Sequence, residues 1–385
     1  MDVQGLASAG WLRSVGAVRV AFRADASLHI GTGHIMRSLT LAEALSARGY
    51  ECYFISREHP GHQLELIRQR GFAAIALPVG AIDFQVDLAG GSNLPAHAAW
   101  LGCDWQSDAQ QTGQVLAAIK PDWLVVDHYG LDERWESALQ PYYQRLFVID
   151  DLADRTHGGD LLLDQNFGRD AADYAGLVPE RCTVLTGPQY ALLRPEFAAL
   201  RASSLQRRSQ PALKRLLITM GGVDKSNATG QVLDALKVSA LPVDCRVSII
   251  MGAKAPFLRQ VQEQAIEMPW SSEVLVSIND MAQRMADSDL AIGAAGGTAW
   301  ERCCLGLPTL MAVIANNQWS GAKALQAANG VCLIGEVGDI AVRLSPALAE
   351  LTQGDGLARM SRIASRICDG QGIERVIHQL WRIHD

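Results

Sequence analysis

The sequence lacks three features that would point to particular classes of protein. No apolar run approaches the roughly 18 residues needed to span a bilayer. Acidic and basic residues are interspersed and the net charge is −7, so no basic block is present of the kind that binds nucleic acid. The eight cysteines have neither the spacing of a small disulfide framework nor that of a zinc site. We therefore expect reduced cysteines and no nucleic-acid or membrane partner.

The beginning of the chain also lacks a recognisable targeting segment. Residues 1–17 have no basic start and no continuous apolar run of the kind found in signal peptides. We interpret residues 1–17 as an extension before the first strand and expect a cytoplasmic protein. No repeating apolar surface helix is evident, so we also expect a monomer.

The length and the apolar pattern indicate two domains. A chain of 385 residues exceeds what one hydrophobic core normally supports. Buried strands alternate with helices from residue 18 onward, which is typical of a doubly wound parallel sheet. After the polar, proline-containing stretch 201–214, interpreted as a linker, the pattern restarts. We predict an α/β fold with two Rossmann-like doubly wound domains, 18–205 and 206–385, facing across a cleft. The last helix, predicted near 357–383, is free to cross back.

A glycine turn and a histidine follow the first predicted strand. Gly31 and Gly33 lie between the strand and a helix, where backbone N–H groups suit an anion, although such a turn equally suits a tight connection. In the first helical turn, the positive end of the helix dipole disfavours an imidazolium at His34. We therefore predict that His34 acts as a general base near neutral pH, with a lining or capping role as the alternative. Three charged neighbours are candidate substrate contacts, of which the carboxylate is expected to orient the histidine ring: Arg23, Asp25 and Arg37.

Two further glycine turns occur in the second half. Gly221 and Gly222 follow its first strand, and the stretch 293–308 leads from a glycine-rich strand end straight into a helix. In that stretch Gly296, Gly297 and Thr298 offer N–H groups to a diphosphate, while Glu301 suits ribose hydroxyls or simply matches the helix dipole. Ligands of open α/β sheets bind beyond the carboxyl ends of strands, where all these turns lie.

Polar residues also end three later strands of the first half. They are Asp127, His128 and Tyr129, then Asp150 and Asp151, and then Asp164 and Asn166. Clustered carboxylates raise the alternative of a divalent metal. Because the glycine turns can bind phosphate unaided, we predict no metal and no cofactor.

Taken together, these stretches resemble a known family, the nucleotide-sugar hydrolases of pseudaminic acid synthesis. The resemblance runs from about residue 18 to 375 and rests on motifs that occur in one order: RADASLHIGTGHIMR, DWLVVDHYGLD, VIDDLADRTH, LLLDQN, GPQYALLRPEF, LLITMGGVDKSN, GAAGGTAWERCCLGLP and the NQ pair Asn317-Gln318. It implies a GT-B-type fold like that of two-domain glycosyltransferases. It also implies metal-independent hydrolysis of UDP-2,4-diacetamido-2,4,6-trideoxy-β-L-altropyranose, in which water attacks the anomeric carbon with inversion.

The resemblance assigns roles to particular residues. It makes His34 the catalytic base, places Tyr129 near the reacting sugar and Arg194 in substrate contact, and puts Glu301 on the uridine ribose. Gly297 stands where the family often has threonine, which makes diphosphate contact there a question for the structure. Two other functions remain open from the residues: an inverting GT-B glycosyltransferase with a UDP-sugar donor, and a non-catalytic nucleotide-sugar binding protein.

Overall fold

The computed structural model describes residues 17–80, 94–210 and 212–384. The chain forms two compact units. Unit 1 contains the described residues up to Gln165, then Arg169–Leu192, and finally the described residues from Ile373 onward. Unit 2 contains Asn166–Gly168 and Leu193–Gly372.

Unit 1 is a seven-stranded parallel sheet in the order β3-β2-β1-β4-β5-β6-β7. Its strands are β1 Arg19–Ala24, β2 Glu51–Arg57, β3 Ala73–Leu77, β4 Trp123–Asp127, β5 Arg145–Ile149, β6 Leu161–Asp164 and β7 Thr183–Thr186. The helices between them are α1 Gly33–Ser46, α2 Leu64–Gln69, α3 Trp105–Ile119 and α4 Glu133–Leu139. All five residues of β4 are buried, as expected of a parallel strand covered on both faces.

Side chains of unit 1 fill two cores, one on each face of the sheet. Because successive residues of a strand point to opposite faces, Phe22 and Ala24 of β1 pack with Ile35 and Leu39 of α1, whereas Ala21 packs on the side of α3. The carboxy-terminal helix of the chain, Gly372–His384, contributes Ile373, Val376, Ile377 and Leu380 to the α1 side.

Unit 2 is a six-stranded parallel sheet in the order β10-β9-β8-β11-β12-β13. Its strands are β8 Arg215–Thr219, β9 Arg246–Met251, β10 Ser271–Val276, β11 Leu290–Ala294, β12 Thr309–Val313 and β13 Cys332–Glu336. Its helices are α5 Pro195–Arg207, α6 Ala228–Lys237, α7 Leu258–Ile266, α8 Met281–Asp287, α9 Thr298–Cys304, α10 Trp319–Ala327, α11 Ile340–Leu351 and α12 Gly356–Ile367; the carboxy-terminal helix is α13.

The stretch 201–214 was predicted as a linker, and that prediction is wrong for its first half. Residues 201–207 belong to α5, so the predicted boundary at 205/206 lies inside a helix. The arginines that make this stretch look solvent-exposed donate to carbonyl groups of neighbouring elements. Arg201 donates to Ser365 O at 2.6 Å, and Arg208 donates to Ser288 O at 2.7 Å. These hydrogen bonds fix the stretch to neighbouring elements, so it is not a free connection.

Two strands and one helix break were not predicted from the sequence. β3 has three alanines among its five residues, a composition that favours helix, and β7 is only four residues long. The predicted helix 357–383 is two helices, because α12 ends at Ile367 and α13 begins at Gly372. Gly370 between them has φ +81°, and a Cβ there would lie 2.9 Å from Cys304 Sγ. Both constraints require glycine and break the helix.

Candidate functional site

The turn from β1 to α1 sets the position of His34. Ser27 Oγ accepts from the backbone N–H groups of His29 and Ile30, and Gly31 closes the turn with φ +80°. No side chain caps α1, which starts at Gly33. His34 therefore occupies the first turn of α1, as predicted, and its side chain is 8% exposed.

His34 forms a short contact with a carboxylate from the neighbouring strand. Its Nδ1 atom lies 2.6 Å from Oδ1 of Asp127, the last residue of β4. Burial alone would raise the pKa of Asp127, but Arg37 and His34 hold that pKa well below its usual value. Asp127 is thus ionised and accepts from Nδ1–H. This hydrogen bond assigns the lone pair of a neutral ring to Nε2, the atom a general base would use.

Arg37 and Tyr129 surround this pair with further hydrogen bonds. Arg37 donates to both oxygens of Asp127, from Nε at 2.7 Å and from Nη2 at 2.6 Å. It also donates to Asp151 at 2.6 Å, and the hydroxyl of Tyr129 donates to the same Asp151 oxygen at 2.5 Å. Burial, followed by Asp151, raises the pKa of Tyr129 well above its usual value, so the hydroxyl stays protonated. Arg37 and Tyr129 therefore lie beside His34, and their predicted roles toward the substrate stay predictions.

Aromatic rings from a second segment complete this part of unit 1. The rings of His34 and Tyr129 meet edge to face with centroids 4.5 Å apart. The half-buried Trp100 stacks on Tyr129 at 5.7 Å, and His97 lies 4.3 Å from Trp100. Neither residue was predicted from the sequence, because both lie at a short 3₁₀ turn without a strand-end signal.

Arg23 and Asp25 do not take the places predicted for them. Both are fully buried. Arg23 donates to Asp25 at 2.6 Å and to Asp108 of α3 at 2.7 Å, so its guanidinium is occupied within the core. Asp127 pairs in register with Ala24 and therefore shares the α1 face, whereas Arg23 and Asp25 point to the α3 face. The prediction that Asp25 orients His34 is wrong, and the orienting residue is Asp127.

The remaining aspartates of unit 1 are held by protein groups. Asp150 accepts from the backbone N–H of Ala153 at 2.8 Å and from Tyr174 at 3.0 Å, and Asp164 accepts from the same Tyr174 hydroxyl at 2.9 Å. Across the described ranges, no group of three or more His, Cys, Asp or Glu side chains is arranged to hold a metal.

In unit 2, the glycine turn after β8 differs from the prediction in one respect. Gly221 has φ +97°, and a Cβ on Gly222 would meet no atom within 4 Å. However, Asp224 accepts from the N–H groups of Ala228 and Thr229 at 2.8 and 2.9 Å, and Asn227 accepts from Gly230. The first N–H groups of α6 are therefore already satisfied by side chains of the chain itself.

The turn between β11 and α9 is open, in contrast. Gly296 and Thr298 are half-buried and Gly297 is exposed, and no side chain caps α9. Behind the turn lies Arg302, which is 1% exposed and which the sequence analysis missed. Its Nη2 donates to Ala294 O at 2.6 Å and its Nη1 to Thr298 Oγ1 at 3.1 Å.

Other predicted residues of unit 2 surround that turn. Glu301 is half-buried, and burial raises its pKa to about 7, against the opposing effects of Arg194 and Arg302. Arg194 forms an ion pair with Glu196 at 2.8 Å. Gln318 accepts from Ile314 N–H at 3.1 Å, and its Nε2 lies 3.6 Å from the position of a Cβ on Gly296. Asn317 is exposed. The residues predicted in unit 2 therefore lie around the turn between β11 and α9, and Gly221 and Gly222 follow the neighbouring strand β8.

No family model matches the chain. The chain is 23% identical over 298 residues to the uncharacterized protein MJ1062 of Methanocaldococcus jannaschii; the match covers 76% of this chain and about half, 55%, of that protein. It is 26% identical over 293 residues to the UDP-2,4-diacetamido-2,4,6-trideoxy-β-L-altropyranose hydrolase of Campylobacter jejuni, covering 75% of this chain and 89% of the hydrolase. The resemblance to this hydrolase family is confirmed.

Among solved structures, the chain is similar to MurG of Acinetobacter baumannii. The TM-score is 0.67 at 15% sequence identity, over 95% of this chain and 99% of MurG. Together with the two parallel sheets, this likeness confirms the predicted GT-B fold. No helix of the described residues is long and apolar enough to cross a membrane.

Proposed function

We propose that the protein hydrolyses a UDP-sugar, releasing UDP and the free sugar by attack of water at the anomeric carbon. The observation that carries the proposal is the His34–Asp127 pair at 2.6 Å in unit 1 of a chain related to a UDP-sugar hydrolase. Following that relative, the proposed substrate is UDP-2,4-diacetamido-2,4,6-trideoxy-β-L-altropyranose, an intermediate of pseudaminic acid synthesis. A small-molecule substrate and a monomeric cytoplasmic protein complete the proposal.

Unit 1 would supply the base. Nε2 of His34 takes a proton from water. Asp127, which accepts the hydrogen bond from Nδ1–H, stabilises the imidazolium that forms. Arg37 keeps Asp127 ionised, so the carboxylate accepts from Nδ1–H throughout. A positioned base of this kind contributes about 10²–10⁴ in rate. Attack from the side opposite the leaving diphosphate inverts the anomeric centre.

Unit 2 would bind the nucleotide. The backbone of Gly221, Gly222, Gly296 and Gly297 and the hydroxyl of Thr298 suit the diphosphate oxygens, and hydrogen bonds from fixed donors stabilise the charge that develops on departure. Glu301 suits the ribose hydroxyls, with Arg194, Asn317 and Gln318 as further substrate contacts. No step of this scheme uses a metal or a cofactor.

The experiment that tests the proposal is proton NMR of the purified protein with the candidate UDP-sugar, in the presence of chelator and without any acceptor. We expect stoichiometric UDP and free sugar, with the opposite anomer formed first. A glycosyltransferase would release UDP only when an acceptor hydroxyl is added. A non-catalytic sugar-nucleotide binding protein would bind the UDP-sugar and leave it intact. Either result would overturn the proposal that the protein is a hydrolase.

A further inference from the structure

Arg302 is a buried cation directly behind the turn between β11 and α9. Its guanidinium donates to Ala294 O and to Thr298 Oγ1, and its Nε has no hydrogen-bond partner in the described part of the chain. A Cβ on Gly293 would lie 2.6 Å from Arg302 Nη1, so the glycine at that position makes room for the guanidinium. The glycine at position 293 therefore leaves the space that the buried guanidinium occupies.

The charge of Arg302 is not balanced by a neighbouring acid. Within the described ranges no carboxylate forms an ion pair with it, and burial lowers its pKa to about 10, which still leaves the group protonated at neutral pH. Glu301 is the adjacent residue, but its own raised pKa leaves it only partly ionised near pH 7. Buried charges in proteins are normally paired, because an unpaired one costs several kcal/mol of desolvation. An anion bound at the turn would provide the missing partner.

The hydrogen bond between Arg302 and Thr298 also fixes a direction. Thr298 Oγ1 accepts from Arg302, so the hydroxyl hydrogen must point elsewhere. Thr298 is half-buried and Gly297 beside it is exposed, so this side of the turn is accessible to a ligand. Hydrogen-bond chains that begin at a charged donor are polarised, which makes the terminal hydroxyl a stronger donor.

We propose that Arg302 is a positioning residue for the diphosphate of a nucleotide ligand: it orients the Thr298 hydroxyl toward a phosphate oxygen and supplies the buried positive charge that the phosphate pairs with. This inference rests on the proposed function, which assigns nucleotide binding to the same turn. A purely structural Arg302 would tie the end of β11 to α9 and would matter equally for every ligand of unit 2.

The test compares UDP with uridine, which lacks the phosphates, by calorimetric titration of the full-length protein. We expect Arg302→Met, titrated at pH 8 so that Glu301 is mostly ionised, to weaken UDP binding about ten- to hundred-fold, as for loss of a charge-assisted hydrogen bond, with a much smaller effect on uridine affinity. Thr298→Val should weaken UDP binding in the same direction, and the double variant should lose less than the sum of the two single losses. Arg259→Met removes a 92% exposed guanidinium of unit 2 and serves as the matched control.

Each outcome decides a separate question. If the wild-type protein binds neither UDP nor uridine, the proposed function fails before Arg302 is at issue. If the wild-type protein binds UDP but Arg302→Met weakens the affinities for UDP and uridine equally, or weakens neither, the positioning role is overturned. Should Arg302→Met not fold, as judged by circular dichroism, Thr298→Val and Arg302→Lys decide in its place. An unchanged ratio of UDP to uridine affinity in both of those variants would also overturn the role.

Discussion

The side chain of His34 meets Asp127 with Nδ1 and Oδ1 2.6 Å apart, although 93 residues separate them in the chain. Asp127 ends a buried strand, and His34 lies in the first turn of the helix that packs on the same face of the sheet. The carboxylate is ionised by its pairing with Arg37 and fixes the tautomer of the imidazole. The pair has the geometry of a general base and its orienting carboxylate. Its function can be tested by substituting Asp127 alone.

Replacing Asp127 should remove turnover and leave nucleotide binding intact. In Asp127→Asn the amide has no formal charge to stabilise the imidazolium, so we expect kcat for UDP release to fall about 10²–10⁴-fold. The affinity for UDP, assigned to unit 2, should stay within about twofold of wild type. Ser38→Ala is the control, because its hydroxyl reaches Asp127 only at 3.4 Å and should leave kcat nearly unchanged. Full turnover in Asp127→Asn would show that the pair is structural.

The two glycines of the His34 turn should respond oppositely to alanine. Gly31 has φ +80°, where a Cβ is strained, so Gly31→Ala should lower the free energy of unfolding by about 1–2 kcal/mol. Gly33 begins α1 without positive φ and with no atom within 4 Å of a Cβ, so Gly33→Ala should leave stability equal or raise it by up to about 1 kcal/mol. Urea unfolding measures both.

The Gly33→Ala variant also tests whether Gly33 contacts the substrate. If Gly33 faces the substrate, as predicted, Gly33→Ala should raise KM although the protein is no less stable. An unchanged KM would remove Gly33 from the proposed site and keep it as a helix start.

Local sequence signals predicted the frame of unit 1 but not the choice between two acids. The run WLVVD and the turn before His34 are readable, because apolar runs and glycines are local. Asp25 follows one buried strand and Asp127 ends another, and Asp25, the nearer to His34 in sequence, was predicted to orient it. The strand alternation places Asp25 on the α3 face, and only the register Ala24 with Asp127 puts the other acid beside α1. The register between β1 and β4 pairs residues that lie far apart in the chain, and no local sequence pattern indicates it.

Arg302 was missed for a different reason. In the run TAWERCC an adjacent Glu and Arg on a helix are typical of a solvated face, and nothing in the sequence shows that the arginine is 1% exposed. Its burial depends on the space left by Gly293 on the preceding strand. The residues that sequence reasoning missed are thus the ones whose role comes from packing between elements.

Tyr129 should stabilise unit 1 through its hydroxyl. Tyr129→Phe keeps the ring that stacks on Trp100 and removes the 2.5 Å hydrogen bond to Asp151. We expect the free energy of unfolding to fall by about 1–3 kcal/mol, the usual range for a bond to a charged acceptor. Chemical denaturation checks the value, with Tyr142→Phe, an exposed tyrosine of the same unit, as the matched control. A loss no larger than that of the control would mean that the hydrogen bond from Tyr129 to Asp151 does not contribute to stability.

Glu301 should make stability depend on pH in a direction that a glutamine variant removes. Burial raises its pKa from 4.5 to about 7, so the folded protein disfavours the charged form. The stabilising contribution is therefore full below pH 4.5 and is lost as the pH rises toward and past 7. Compared with wild type, Glu301→Gln should be about equally stable at pH 5 and more stable at pH 8, as measured by urea unfolding at both values. Glu263→Gln, at an exposed position, should show no such difference between the two pH values.

The same titration should appear in nucleotide binding. Ribose hydroxyls donate hydrogen bonds to the ionised carboxylate of Glu301 more strongly than to the neutral acid, so binding requires loss of a proton near pH 7. We expect UDP affinity to be several-fold higher at pH 8 than at pH 6, and Glu301→Gln to bind UDP more weakly with most of that dependence gone. Because the second phosphate ionisation of UDP also falls near pH 6, uridine is the decisive ligand. A uridine affinity that does not change with pH in the wild-type protein would place the ribose away from Glu301.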